Sequence, residues 1–211
     1  LVQQPARRRQ FLILRGTETP ADLIRDASVT PQYYADLDTD LHVGFAAAAR
    51  QVFNRVHDRL RPDEDIVLVG HSMGGAMAGI LSLFVLKEAK FKPEQITIYT
   101  FGQPMYGVCV CETHRVKYLR FVNSKDPIPT VPPVGSAYLG VYRHFNPAIY
   151  LWNNGEWSYV PERGARKDWS TFARIVLKTD LQLHSMSLYI SRLQNQPGTL
   201  VEFNRQRYDQ G

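Results

Sequence analysis

The chain has 211 residues, 44% hydrophobic and 21% charged, with a net charge of +5. This is the composition of a globular protein with a sizeable core, and a single domain over residues 1–211 is expected. No stretch approaches the ~20 apolar residues of a transmembrane segment, and no signal peptide is visible. The chain begins at Leu1 rather than Met, as a mature, trimmed or excised form would. Arg7-Arg8-Arg9 could touch an anionic surface or nucleic acid, but such a run more often marks a solvated terminus.

Phe11-Leu12-Ile13-Leu14 reads as a buried strand that ends at Arg15-Gly16-Thr17. Thr19-Pro20-Ala21-Asp22 has the form of a helix start, with Thr as N-cap, Pro at N1 and acid in the first turn. Val29 to Asp40 reads as a loop. An amphipathic helix follows over Ala46 to Leu60, with Phe45, Val52, Phe53 and Val56 on its inner side.

Ile66 to Val69 is a second buried strand. It runs into Gly70-His71-Ser72-Met73-Gly74, a G-x-S-x-G match, and then into an apolar helix from Met73 to Lys90. In this motif a sharp strand-to-helix turn carries the serine at its tip, and the two glycines avoid clashes with strand and helix. Ile96 to Phe101 and Val116 to Val122 are further strands, the second followed by Asn123-Ser124-Lys125-Asp126-Pro127. Alternating strands and helices imply a mostly parallel sheet.

Cys109 and Cys111 are the only cysteines. Their spacing gives a strained pair and no disulfide framework, which points to a reducing compartment. A zinc site would need further ligands beyond His114, so two free or buried thiols are expected. Tyr142 to His144 and Ile149 to Trp152 read as a late hairpin around Asn146-Pro147. Asn154 to Trp169 reads as a surface excursion, Leu181 to Leu193 as a helix, and the tail as loosely held.

A serine hydroxyl becomes a strong nucleophile when a histidine takes its proton and an acid orients that histidine. Ligands gather at the carboxyl ends of strands in such a sheet. Asp126 lies just past a strand and is favoured as the acid over Asp168 and Asp180. Six histidines compete for the base. His71 sits inside the turn and should point sideways, His57 lies on a solvated helix face, and His114 is in a polar link. His42 and His144 could cap or pack. His184 opens the last helix and completes the order Ser, Asp, His of α/β-hydrolases, so it is favoured. The oxyanion needs two donors. The backbone N–H of Met73 is one, and Thr17, just past the first strand, is placed for the other.

The sequence resembles the class 3 lipase family, the filamentous-fungal type of lipase. The family's R-G-[TS] stands as Arg15-Gly16-Thr17, and its H-x-G-[FY] as His42-Val43-Gly44-Phe45. Its G-H-S-[LM]-G-[GA] stands as Gly70 to Gly75, and its Y-[TS]-F-G-x-P as Tyr99 to Pro104. The long R-x-[VT]-[NH]-x-x-D motif opens at Arg120 and runs to Pro133, and the late histidine before an aromatic is His184 with Tyr189. The resemblance implies an α/β-hydrolase fold with helices on both faces of a mostly parallel sheet, and the N-terminal part of the family domain missing. It implies the triad Ser72, Asp126 and His184, the oxyanion donors Thr17 and Met73, and a lid over Glu18 to Asp26 carrying Leu23 and Ile24. The implied function is hydrolysis of carboxylic esters, foremost acylglycerols, through an acyl-enzyme on Ser72 and with no cofactor or metal. The alternatives are a feruloyl-type or short-chain carboxylesterase, a phospholipase, or a silent lipase-like interaction module. The expected partners are a lipid or ester substrate and a transient lipid interface, with no nucleic acid. The family resemblance suggests secretion, whereas the lack of disulfides allows an intracellular site.

Overall fold

The computed structural model describes residues 1–16, 30–108, 115–132, 142–160 and 181–195. Its strands, in chain order, are β1 (Val2–Gln4), β2 (Arg9–Leu14), β3 (Pro31–Tyr34), β4 (Thr39–His42), β5 (Asp65–His71), β6 (Ile96–Phe101), β7 (Lys117–Asn123), β8 (Ala148–Leu151) and β9 (Trp157–Val160). The helices are α1 (Val43–Val56), α2 (Met73–Lys87) and α3 (Met186–Gln194). The main sheet has the order β1-β2-β5-β6-β7-β8-β9. From β2 to β8 every neighbouring pair is parallel, and β1 and β9 close the edges antiparallel. The fold is therefore the mostly parallel α/β sheet that the sequence predicts.

The strand order from β2 to β6 advances in one direction. Right-handed crossovers then place the connecting helices on one face. α2 packs on β5 and β6, and α1 packs along α2, with Phe53 5.6 Å from Phe84 between ring centres. Arg50 of α1 lies over the Phe84 ring at 3.7 Å and pairs with Glu88 at 2.7 Å, which ties the two helices together at the surface. The registers Leu12↔Leu68, Leu68↔Ile98 and Ile98↔Tyr118 put these residues side by side under α2, all buried. α2 is apolar around its whole circumference because it is covered on both sides: every residue from Gly74 to Val85 is buried.

The opposite face carries Ile13, Val69, Tyr99 and Leu119 in register. α3 lies on this side, at the carboxyl ends of the strands, where Tyr189 meets Phe101 edge-on at 6.0 Å. The expected helices on both faces are thus present, with unequal cover.

Several elements differ from the sequence expectation. Val29 to Asp40 is not a loop where it is described. β3 and β4 form an antiparallel hairpin there, linked by a tight turn in which Asp38 takes a left-handed conformation. The late hairpin pairs β8 with β9 across Asn153-Asn154-Gly155, and Tyr142 to His144 is not one of its strands. β9 was hidden within an apparent surface excursion because Trp157-Ser158-Tyr159-Val160 is flanked by turn and charged residues. α1 ends at Val56 and α2 at Lys87, earlier than their apolar runs suggested. The arginine run is solvated as expected, with Arg8 69% exposed, but it is structured: Arg9 opens β2, Arg8 pairs with Asp63 at 3.0 Å, and Arg9 lies 3.8 Å from Asp65. Cys109, Cys111 and His114 lie outside the described residues, as does the predicted helix start at Thr19. Among the described residues no helix is long and apolar enough to cross a membrane.

Candidate active site

β5 ends at His71 and α2 begins at Met73, which leaves Ser72 alone at the corner. Its backbone sits at φ 57°, ψ −131°, a conformation that side chains rarely adopt. The flanking glycines explain how the corner closes. A Cβ at Gly70 would lie 2.1 Å from the Gly74 carbonyl oxygen, and one at Gly74 would lie 2.4 Å from that of Leu14. The Ser72 N–H donates to the Phe101 carbonyl at 2.9 Å, which locks the corner to the end of β6. Met73 follows at the first position of α2, where backbone N–H groups have no partner within the helix and the dipole favours negative charge.

Asp126 comes from the turn after β7. Its Oδ1 accepts from the Ile128 N–H at 2.9 Å, and its Oδ2 accepts from the Tyr189 hydroxyl at 2.7 Å. His184 closes the short 3-10 turn Leu181–His184 ahead of α3. Its Nδ1 donates to Asp126 Oδ2 at 2.9 Å. Both side chains are buried, and His184 Nε2 has no hydrogen-bond partner among the described residues. A proton on Nδ1 leaves Nε2 as the acceptor nitrogen, the form that a general base requires.

The structure thus brings Ser72, Asp126 and His184 to the carboxyl ends of β5, β6 and β7. Gly102, at the end of β6, makes room for the pair. It has φ 58°, and a Cβ there would lie 2.7 Å from His184 Cε1 and 2.9 Å from Asp126 Oδ2. Gly16 does the same for the serine, since a Cβ on it would reach within 2.6 Å of the Ser72 Cβ. The roles of these two glycines rest on long-range contacts, and the only trace in the sequence is their place in the R-G-[TS] and F-G-x-P motifs.

Thr17, Leu23 and Ile24 lie outside the described residues, as do Asp168 and Asp180. The other described histidines are accounted for, and His114 lies outside the described residues. His42 Nδ1 accepts from the Phe45 N–H at 3.4 Å and caps α1. His144 is buried, and its Nε2 donates to the Pro129 carbonyl at 2.7 Å. Burial, aided by the Arg120 charge, holds its imidazole well below the ordinary histidine range. His57 is exposed beside Asp58. His71 turns sideways, and its Nε2 donates to the backbone carbonyl of His184 at 2.7 Å.

A strained corner serine beside a buried histidine–carboxylate pair, at the carboxyl ends of a parallel sheet, defines a site of the α/β-hydrolase kind. The sequence model described as Lipase (class 3) matches residues 11–136, more than half of the chain. The chain belongs to the class 3 lipase family. It is 27% identical over 154 residues to a lipase of Rhizopus niveus, an alignment that covers 67% of this chain and 38% of that protein. It is 30% identical over 179 residues to a phospholipase A1 of Oryza sativa subsp. indica, covering 68% and 41%. The matched region therefore spans about two fifths of the length of these curated relatives. Among solved structures, a lipase from Rhizopus microsporus var. chinensis superposes with a TM-score of 0.65 at 25% identity, covering 86% of this chain and 66% of that one.

Proposed function

We propose that this chain is the catalytic domain of a serine hydrolase that cleaves carboxylic esters, foremost acylglycerols. The observation that carries the reading is the convergence of the strained Ser72 corner with the buried His184–Asp126 pair at adjacent strand ends. In this reading Ser72 Oγ attacks the ester carbonyl while His184 Nε2 takes its proton. Asp126 keeps the Nδ1–H tautomer in place and stabilises the imidazolium. The backbone N–H of Met73 and Thr17 receive the oxyanion. His184 then protonates the leaving alcohol, and water admitted to the same base releases the acid. The reading needs no cofactor. Leu23 and Ile24 serve as the apolar lid residues, an assignment that stands on sequence alone.

The lipases and the phospholipase A1 among the relatives support ester-bonded lipids as the substrate class. The test uses a fluorophosphonate probe and a substrate panel. The probe should label wild type at Ser72 and should not label Ser72→Ala. The panel contains p-nitrophenyl esters of graded length, an emulsified triacylglycerol and a phosphatidylcholine dispersion. Hydrolysis of the emulsion supports the leading reading, and hydrolysis confined to the phospholipid moves the substrate class to phospholipids. Leu23→Asp combined with Ile24→Asp should weaken action on the emulsion far more than on a soluble short ester. Labelling that survives Ser72→Ala removes the assignment.

A further inference from the structure

His71 is the first variable residue of the G-x-S-x-G turn, directly before Ser72, and the proposed reaction gives it no part. Its surroundings are specific nonetheless. The side chain leaves β5 on the face opposite α2, toward α3. Its ring lies against the His184 ring with centroids 4.6 Å apart and planes 28° apart. Its Nε2–H donates to the His184 carbonyl at 2.7 Å, so the same residue is held at both its backbone and its ring. Tyr189 closes the far side edge-on to His71 at 6.1 Å. Among the described residues, the titratable groups facing His71 are therefore His184, Tyr189 and, through His184, Asp126.

We propose that His71 is a positioning residue for the His184 base. This role follows from geometry and rests on the triad proposed for Ser72, His184 and Asp126. The hydrogen bond that His184 Nδ1 donates to Asp126 constrains that atom only, and a ring held at one atom can still tilt about it. The stacked His71 ring removes that tilt from one side, and the 2.7 Å bond fixes the backbone from which the imidazole hangs. His71 is covalently next to Ser72, so nucleophile and base are referred to the same two residues of chain. The donor role requires Nε2–H, which a neutral imidazole supplies. Burial first, and the charge on His184 second, hold His71 below its ordinary value, which favours the neutral form. A second positive charge beside the His184 imidazolium would oppose the proton transfer that the reaction needs.

The test separates ring from donor. His71→Gln keeps an amide donor at the reach of Nε2 and loses the ring. His71→Phe keeps the ring and loses the donor. His71→Ala loses both. Turnover is expressed per site titrated with a fluorophosphonate, so that misfolded protein is not counted. His71→Ala should lower kcat by ~10²-fold at nearly unchanged KM, the scale of a misplaced catalytic group. The Gln and Phe variants should each restore part of that loss. A His71→Ala kcat within about twofold of wild type per titrated site would overturn the proposal. So would a loss that appears only as fewer titrated sites or as a raised KM. Failure of the triad reading looks different, because Ser72→Ala would then retain turnover whatever the His71 series shows.

Discussion

On the α2 side of the sheet, Ile66, Leu68, Ile96 and Ile98 are completely buried, whereas on the other side Ile13 is 63% exposed and Tyr99 39%. These residues lie on the neighbouring strands β2, β5 and β6 of one sheet, and their side chains are largely apolar. What separates them is the direction of the crossovers, which stacks α1 and α2 on one face and, among the described residues, leaves only α3 for the other. The covered face supplies most of the burial and so most of the stability, at ~25 cal/mol per Å² of apolar surface. The candidate chemistry collects at the carboxyl edge on the less covered side, where His71, His184, Tyr189 and Asp126 pack on one another. The strain of the Ser72 corner, on the order of 1–3 kcal/mol, is tolerated because both arms of the corner are anchored in the covered face.

This division can be tested from both ends. The largest effects belong to the edge and should be purely catalytic. Ser72→Ala and His184→Ala should each reduce turnover of a p-nitrophenyl ester by ~10⁶-fold, since such groups act as a unit, and Asp126→Asn by ~10⁴-fold. The Ser72→Ala melting midpoint should stay within about a degree of wild type, a pattern that a structural serine would not give. Next come the faces themselves. Leu68→Ala should cost ~2–5 kcal/mol in urea unfolding, while Ile13→Thr on the open side should stay within ~0.5 kcal/mol. Equal losses would mean that the second face is as covered as the first.

Smaller is the effect of Tyr189→Phe. The Tyr189 hydroxyl donates to Asp126 Oδ2 at 2.7 Å and accepts from the Asn123 N–H at 3.0 Å, so its removal leaves a buried carboxylate oxygen and an amide short of a partner. About 1–3 kcal/mol of stability should be lost, with kcat down ~10-fold. Smallest is a pH effect at the buried His144. His144 is held below its ordinary value, so between its unfolded and folded pKa the unfolded chain binds more protons. Its contribution is present above pH ~6.5 and is lost as pH falls toward the depressed folded value. His144→Gln keeps a donor for the Pro129 carbonyl and should flatten the acid-side loss of stability in urea titrations. The remaining slope should include the share of His71, which is lowered in the same direction.

Much of this architecture is legible in the chain itself. Ile66 to Val69 and Ile96 to Phe101 are apolar, β-branched runs too short for helices, and they are strands. The G-x-S-x-G spacing encodes part of its own turn because the contact that demands Gly70 is local, with Gly74 and Gly75, whereas Gly74 is demanded by Leu14 on the neighbouring strand β2, far away in sequence. Asp126 could be singled out by its place just past a strand and His184 by chain order at the start of the last helix, and the structure brings them within hydrogen-bond reach. The hairpins β3–β4 and β8–β9 were another matter. Pro31-Gln32-Tyr33-Tyr34 and Trp157-Ser158-Tyr159-Val160 have little periodicity of their own, and each becomes a strand because a neighbour completes its backbone hydrogen bonds. Tertiary structure alone decided which face of the sheet the helices cover. It alone set His71 against His184, 113 residues away, and Tyr189 against Asp126, 63 residues away. Spacing along a chain records sterics among near neighbours. Contacts between distant residues depend on the summed packing of everything between them, and no short pattern holds that sum.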